Sequence, residues 1–90
     1  MVFDLSFGAY LKWIDELRTE VRGDPSEHNI RRLVRVMNDC VVQSSLEDAE
    51  AHGLLWELIY WSLRLYYTYG KEEDLARAES IDHYRNWGVF

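Results

Sequence analysis

The residues with the most chemical potential in this chain are Arg31, Arg32 and Arg35, its one basic cluster. Guanidinium forks match phosphate and carboxylate geometry. At helical spacing Arg31 and Arg35 lie one turn apart on a shared face, with Arg32 offset. The three form a candidate site for a small anionic ligand such as a nucleotide, and Arg18 and Arg22 could join them if their helices pack together. The competing use is pairing with nearby acids, as Glu27 could pair with Arg31. Two carboxylate–imidazole pairs come next, Asp48 with His52 and Glu79 with His83, each four residues apart. Such a pair can bind a metal from one helix face, and Glu16 and Glu20 could complete a site inside a bundle. Di-iron bundles, however, place glutamate three residues before histidine. That spacing is missing, as is HExxH. No metal is expected, and the pairs read as pH-sensitive surface contacts.

Arg77 precedes His83 by six residues, and Tyr84 follows. Over those residues alone the chain resembles the arginine–histidine motif of helical ribonucleases of the HEPN class, which would imply catalysis at Arg77 and His83. The flanking residues depart from that family's polar pattern, and the chain is short for it, so no catalytic residue is assigned. The sequence holds no glycine-rich phosphate loop. No serine or cysteine has an evident base. One proline and five scattered glycines leave little room for an elaborate catalytic loop. The expectation is a protein with no enzymatic activity and no cofactor.

Ninety residues make one domain, residues 1–90. The formal charge of −6 argues against polyanions such as nucleic acid or anionic membrane and suits a basic partner. The single cysteine, Cys40, excludes an internal disulfide and a cysteine-rich zinc site. Its neighbours Met37, Val41 and Val42 mark it as a buried apolar residue. Met1-Val2-Phe3-Asp4 lacks the basic start and apolar run of a signal peptide, so a cytoplasmic location is expected. No stretch is long and apolar enough to span a membrane.

Apolar periodicity predicts four helices. The first runs from a cap at Asp4 or Ser6, after an apolar lead at Met1–Phe3, to Arg22, with Phe7, Tyr10, Leu11, Ile14, Leu17 and Val21 inward. Gly23-Asp24-Pro25-Ser26-Glu27 makes a tight turn in which Asp24 would cap the second helix, Pro25 open it and Glu27 complete a capping box. That helix runs to Val42 and turns Ile30, Leu33, Val34, Met37 and Val41 inward, beside Val36 and Cys40. A long third helix spans Leu46–Tyr69 after Ser45, with Gly53 marking either close backbone packing or a bend. Its second part, Leu54–Tyr69, is the most apolar stretch of the chain. Leu55, Leu58, Ile59, Ser62, Leu65 and Tyr66 would face the core; Trp56, Tyr60, Tyr67 and Trp61 would flank it or lie outside. A fourth helix from Glu72 to near Trp87 has a thin stripe at Leu75, Ala78 and Ile81. The predicted fold is all-α, an antiparallel bundle of about four helices with the third helix central.

Four tryptophans, six tyrosines and three phenylalanines exceed what a small core hides and point to an interface. The expected function is a small acidic protein–protein interaction module. Its most concrete form is an inhibitor, such as an immunity protein, antitoxin or phage-encoded blocker, covering a basic site on its partner. Tyr60, Tyr66, Tyr67, Tyr69, Tyr84 and Trp87 would anchor, while Glu72, Glu73 and Asp74 would steer. Leu58-Ile59-Tyr60 is similar to part of a tyrosine-bearing motif of nuclease-colicin immunity proteins, without that motif's aspartate and proline. The alternatives are anion binding through Arg31, Arg32 and Arg35, or self-association as a homodimer with a regulatory role.

Overall fold

Three serines start the first three helices. In the computed structural model, which describes residues 6–90, the hydroxyls of Ser6, Ser26 and Ser45 accept from the backbone N–H of Ala9, Asn29 and Asp48 at 3.2, 3.3 and 3.1 Å. Each satisfies an amide that the first helical turn leaves without a partner. The helices are α1 (Phe7–Gly23), α2 (Glu27–Gln43), α3 (Leu46–Ala51), α4 (Leu54–Tyr69) and α5 (Glu72–Trp87). The apolar lead at Met1–Phe3 and the alternative cap Asp4 lie outside the described residues.

Two expectations about helix boundaries need correction. Ser26, not Asp24, caps α2. Asp24 is taken by the end of α1, where its N–H donates to the Glu20 carbonyl at 2.9 Å. Its own carbonyl accepts from the Asn29 side chain at 2.9 Å, so it closes one helix and steadies the next. The expected Leu46–Tyr69 helix is broken in two. Gly53 adopts φ +66°, and its N–H turns back to the Glu50 carbonyl at 3.0 Å. A Cβ built on Gly53 would touch nothing within 4 Å, so glycine serves the left-handed backbone there, not a close approach. Gly53→Ala is expected to cost about 1 kcal/mol, the penalty for a Cβ in that conformation, measured as a lowered urea midpoint with unchanged slope.

The inward faces of α1 and α2 are those the periodicity marks; on α4 Leu54 joins the face while Ile59 and Tyr66 are half-buried, and on α5 Tyr84 joins it while Leu75 is half-buried. Tyr10, Ile14, Leu17 and Val21 of α1 are buried, as are Ile30, Leu33, Val34, Val36, Met37, Cys40 and Val41 of α2. From α4 come Leu54, Leu55, Leu58 and Leu65, and from α5 Ala78, Ile81 and Tyr84. Phe7, Leu11, Ile59 and Trp61 pack at the margin of this core. Burial raises the Cys40 thiol above its ordinary range, which keeps it a packing residue and a poor nucleophile.

The packing order follows from these faces. α4 packs most extensively on α5, α1 packs on α2, α2 on α4, and α3 on α4. α2 and α4 thus share the middle, since each touches helices on two sides. Arg32 reaches Glu20 at 2.9 Å beside the α1–α2 turn, and Arg77 reaches the Ser62 hydroxyl at 3.2 Å between α4 and α5. At the far end of that second pair Arg85 lies over the Trp56 ring. The contacts α1–α2 and α4–α5 are therefore antiparallel hairpins. Among the described residues there is no strand, and no helix is long and apolar enough to cross a membrane.

Candidate interaction surface and the ion network beneath it

Helical spacing alone places Trp56, Tyr60 and Tyr67 within about 40° of one another around α4. The core claims the opposite side through Leu54, Leu58 and Leu65. Among the described residues only the Arg85 side chain of α5 reaches over this outer stripe, and its rings stay largely in solvent: Trp56 is 57%, Tyr60 53% and Tyr67 78% exposed. Over about 16 Å of helix they form one ridge, with half-buried Leu63 beside them. Neighbours hold the rings in place. The Tyr60 ring meets Trp61 edge-on at 5.0 Å, and Tyr67 meets Tyr66 at 5.4 Å. Arg64 donates to the Tyr60 hydroxyl at 3.2 Å. The Arg85 guanidinium sits 4.1 Å above the Trp56 centroid, within cation–π range. Rings fixed this way lose little entropy when a partner covers them.

The other predicted anchors divide. Tyr69 and Trp87 are exposed, with Trp87 beside His83 on the outer side of α5. Tyr66 is half-buried against the bundle. Tyr84 is a correction: it is a core residue, and the Phe90 ring stacks on it at 4.1 Å, so it cannot anchor a partner. Glu72 and Glu73 are exposed, as steering requires. Asp74 is the second correction, with a side chain 0% exposed.

Asp74 is instead the hub of an ion network. Arg31 grips its carboxylate with two nitrogens at 2.9 and 3.0 Å, and Arg77 adds a third contact at 3.0 Å. Arg77 also donates to Ser62, buried on α4. Arg31 reaches Glu27 at 2.8 Å, and Lys71 reaches Glu27 at 3.4 Å. One carboxylate thereby ties α2, α4 and α5 together. Burial pushes the Asp74 carboxyl upward, but hydrogen bonds from Arg31 and Arg77 outweigh it, and the group titrates below the ordinary aspartate range. Hydrogen bonding to Asp74 raises Arg31, against its desolvation. The Arg31 hydrogen bond likewise lowers Glu27. Lys71 precedes α5 without a capping side chain, and Glu72, Glu73 and Asp74 place negative charge in the first turn, where the helix dipole favours it.

This pairing changes the arginine cluster. Arg31 is spent on Asp74 and Glu27, and Arg32 on Glu20. Arg35 is exposed and faces a small mixed-charge cavity, about 320 Å³, which Asp39 and Glu73 also line. The three arginines therefore do not converge as one anion patch; acids on other helices claim two of them first. The histidines also part from their imagined roles. His52 packs edge-on against Phe7 at 5.2 Å, and among the described residues no three His, Cys, Asp or Glu side chains gather to hold a metal. Arg77 points into the Asp74 network while His83 stands exposed, so the two are not assembled as a pair.

Sequence reasoning placed Trp56 at the flank or outside without assigning it to the site, although the Trp56–Tyr60–Tyr67 spacing carries the signal. It also missed the cross-helix pair between Arg18 and Glu57, thirty-nine positions apart, for which no local pattern exists.

Fold and surface together define an all-α bundle with an exposed aromatic stripe on α4. Compared with known proteins, the chain matches no family model, no curated protein and no solved structure.

Proposed function

We propose that this protein is a binding module that seats a basic protein partner on the outer face of α4 and inhibits it by covering its working surface. The observation that carries this is the ridge of Trp56, Tyr60 and Tyr67, three aromatic anchors exposed on one stripe. Its charge setting supports a basic partner. Residues 44–70 carry net −3 and residues 71–90 net −2, nearly all of the chain's −6. Acidic surroundings speed the encounter with a cationic surface, and buried aromatics supply most of the binding energy once docked. Occlusion of this kind needs no catalytic group and no cofactor. Self-association through the same ridge is disfavoured, because it would bring two acidic halves together. Binding of a nucleotide by Arg31, Arg32 and Arg35 is disfavoured by the carboxylates already engaged.

The test is capture from the native source with the wild-type protein and with a triple variant, Trp56→Ala, Tyr60→Ala and Tyr67→Ala. The expected result is a basic protein bound one-to-one by the wild type, inhibited on binding, and lost with the variant. Equal capture by both proteins, or a complex in which the partner stays fully active, would refute the proposal.

A further inference from the structure

Between α1 and α4 the bundle opens into a cavity of about 640 Å³, within the range of small-molecule sites. It opens on the α1-facing side of α4 and adjoins the aromatic ridge through Trp61 and Arg64, both of which touch Tyr60. Val21, Pro25 and Trp61 give it an apolar lining. Arg18 is locked on one side, bound to Glu57 through Nε and Nη2 and to Asp15 through Nη1. The Glu57 hydrogen bond raises its pKa despite burial. Glu57 also accepts from the Trp61 indole N–H at 3.3 Å, so one carboxylate fixes both the guanidinium and the ring. The two remaining cations of the lining, Arg22 and Arg64, have no carboxylate within ion-pair distance among the described residues. Among the described residues Arg64 meets the Tyr60 hydroxyl and the Trp61 face, its guanidinium carbon 5.3 Å from the ring centroid. The lining carries three arginines against Asp15 and Glu57, a net positive site in a protein of net charge −6.

We infer that this cavity binds a small organic anion, a carboxylate or phosphate monoester with a flat apolar body. Arg22 and Arg64 hold the charged end, and the body lies along Trp61, Val21 and Pro25. Guanidinium forks recognise both oxyanions, and the preset ion pair with Glu57 keeps the indole from swinging into the space. The occupant is small for an electrostatic reason. Salt screens charges beyond about 8–10 Å, so a small anion feels the local arginines. An acidic protein would also face the repelling acids of the wider surface.

The test follows the Trp61 indole N–H by nuclear magnetic resonance in the full chain, assigned with Trp61→Phe. The probes are indole-3-acetate, adenosine 5′-monophosphate, tryptamine and inorganic phosphate. Saturable shifts are expected with one or both organic anions, and which binds tighter distinguishes carboxylate from phosphate. Tryptamine, with the same ring and the opposite charge, should not bind, and inorganic phosphate should bind more weakly for lack of a body. The double variant Arg22→Gln, Arg64→Gln should weaken binding by about tenfold or more, the loss expected of a charge-assisted hydrogen bond. The Arg22→Lys, Arg64→Lys variant should retain more affinity. Both side chains are exposed and outside the ion network, so the variants should fold, as circular dichroism would verify. The inference is overturned if neither organic anion gives a saturable shift, if tryptamine binds equally well, or if the glutamine variant binds as the wild type does. A glutamate-rich peptide that binds where both small anions fail would overturn it in favour of a peptide surface.

Discussion

Asp74→Ala is expected to destabilise the fold by about 3 kcal/mol, the cost of removing one partner from a buried ion pair. The low end of that range applies because Arg31 and Arg77 keep 23% of their side-chain surface in solvent and can partly rehydrate. The loss has three sources. Two guanidiniums lose their shared acceptor, Ser62 keeps a donor that no longer has an anchor, and the first turn of α5 loses its inward carboxylate. Asp74→Asn should cost less, since the amide oxygen can still accept one hydrogen bond. Urea unfolding measures both changes through the midpoint at constant slope.

The same residue sets an acid limb. Its folded pKa lies below the ordinary aspartate value. The stability it contributes is therefore complete above the unfolded pKa of about 3.9. It is lost as pH falls through the lower folded value. Glu27, also lowered in the fold, adds a contribution of the same sign. As pH falls from about 5 through the unfolded pKa and on through the lower folded one, the wild type should lose stability more steeply than Asp74→Asn, and the gap between them should narrow. Parallel acid limbs would show that Asp74 is not held by Arg31 and Arg77 as described.

The second large effect is on partner binding. Buried aromatic anchors are worth about 2 kcal/mol or more each, and 1.4 kcal/mol is a factor of ten. Trp56→Ala, Tyr60→Ala or Tyr67→Ala alone should weaken the complex by on the order of tenfold to a hundredfold. The triple variant should lose about a thousandfold or more, and less than the product of the three, because neighbours in one ridge are not additive. The loss should appear in the dissociation rate. Stability should change little for Tyr67→Ala, within about 0.5 kcal/mol as for other exposed positions. Trp56→Ala should cost somewhat more, since Arg85 loses the ring beneath it. Glu72→Gln with Glu73→Gln should instead slow association and flatten its salt dependence while leaving dissociation alone. Surface plasmon resonance with the captured partner separates the two. Ridge variants that keep affinity within twofold would move the contact surface elsewhere.

Patterns local in the chain are legible in the sequence itself. Leucine and valine at three- and four-residue spacing, serines ahead of carboxylates, and Gly23, Gly70 and Gly88 at helix ends determine that the chain is all-α and which faces turn inward. A helix is written in neighbours one turn apart, and its buried stripe follows from transfer of apolar surface out of water, so both can be read along the sequence. The exposure of Tyr60 and Tyr67 is legible for the same reason, because the leucines of α4 leave them no side but the outer one. Gly53 is legible as a special position, yet the choice between close packing and a break needs its φ angle. Tertiary structure alone decides where the charges go. Whether Arg31 meets Asp74 or a ligand, and whether Arg18 meets Glu57, depends on groups forty-three and thirty-nine positions away. Ion pairing acts through space at a few ångströms, and no periodicity along the chain encodes such a distance.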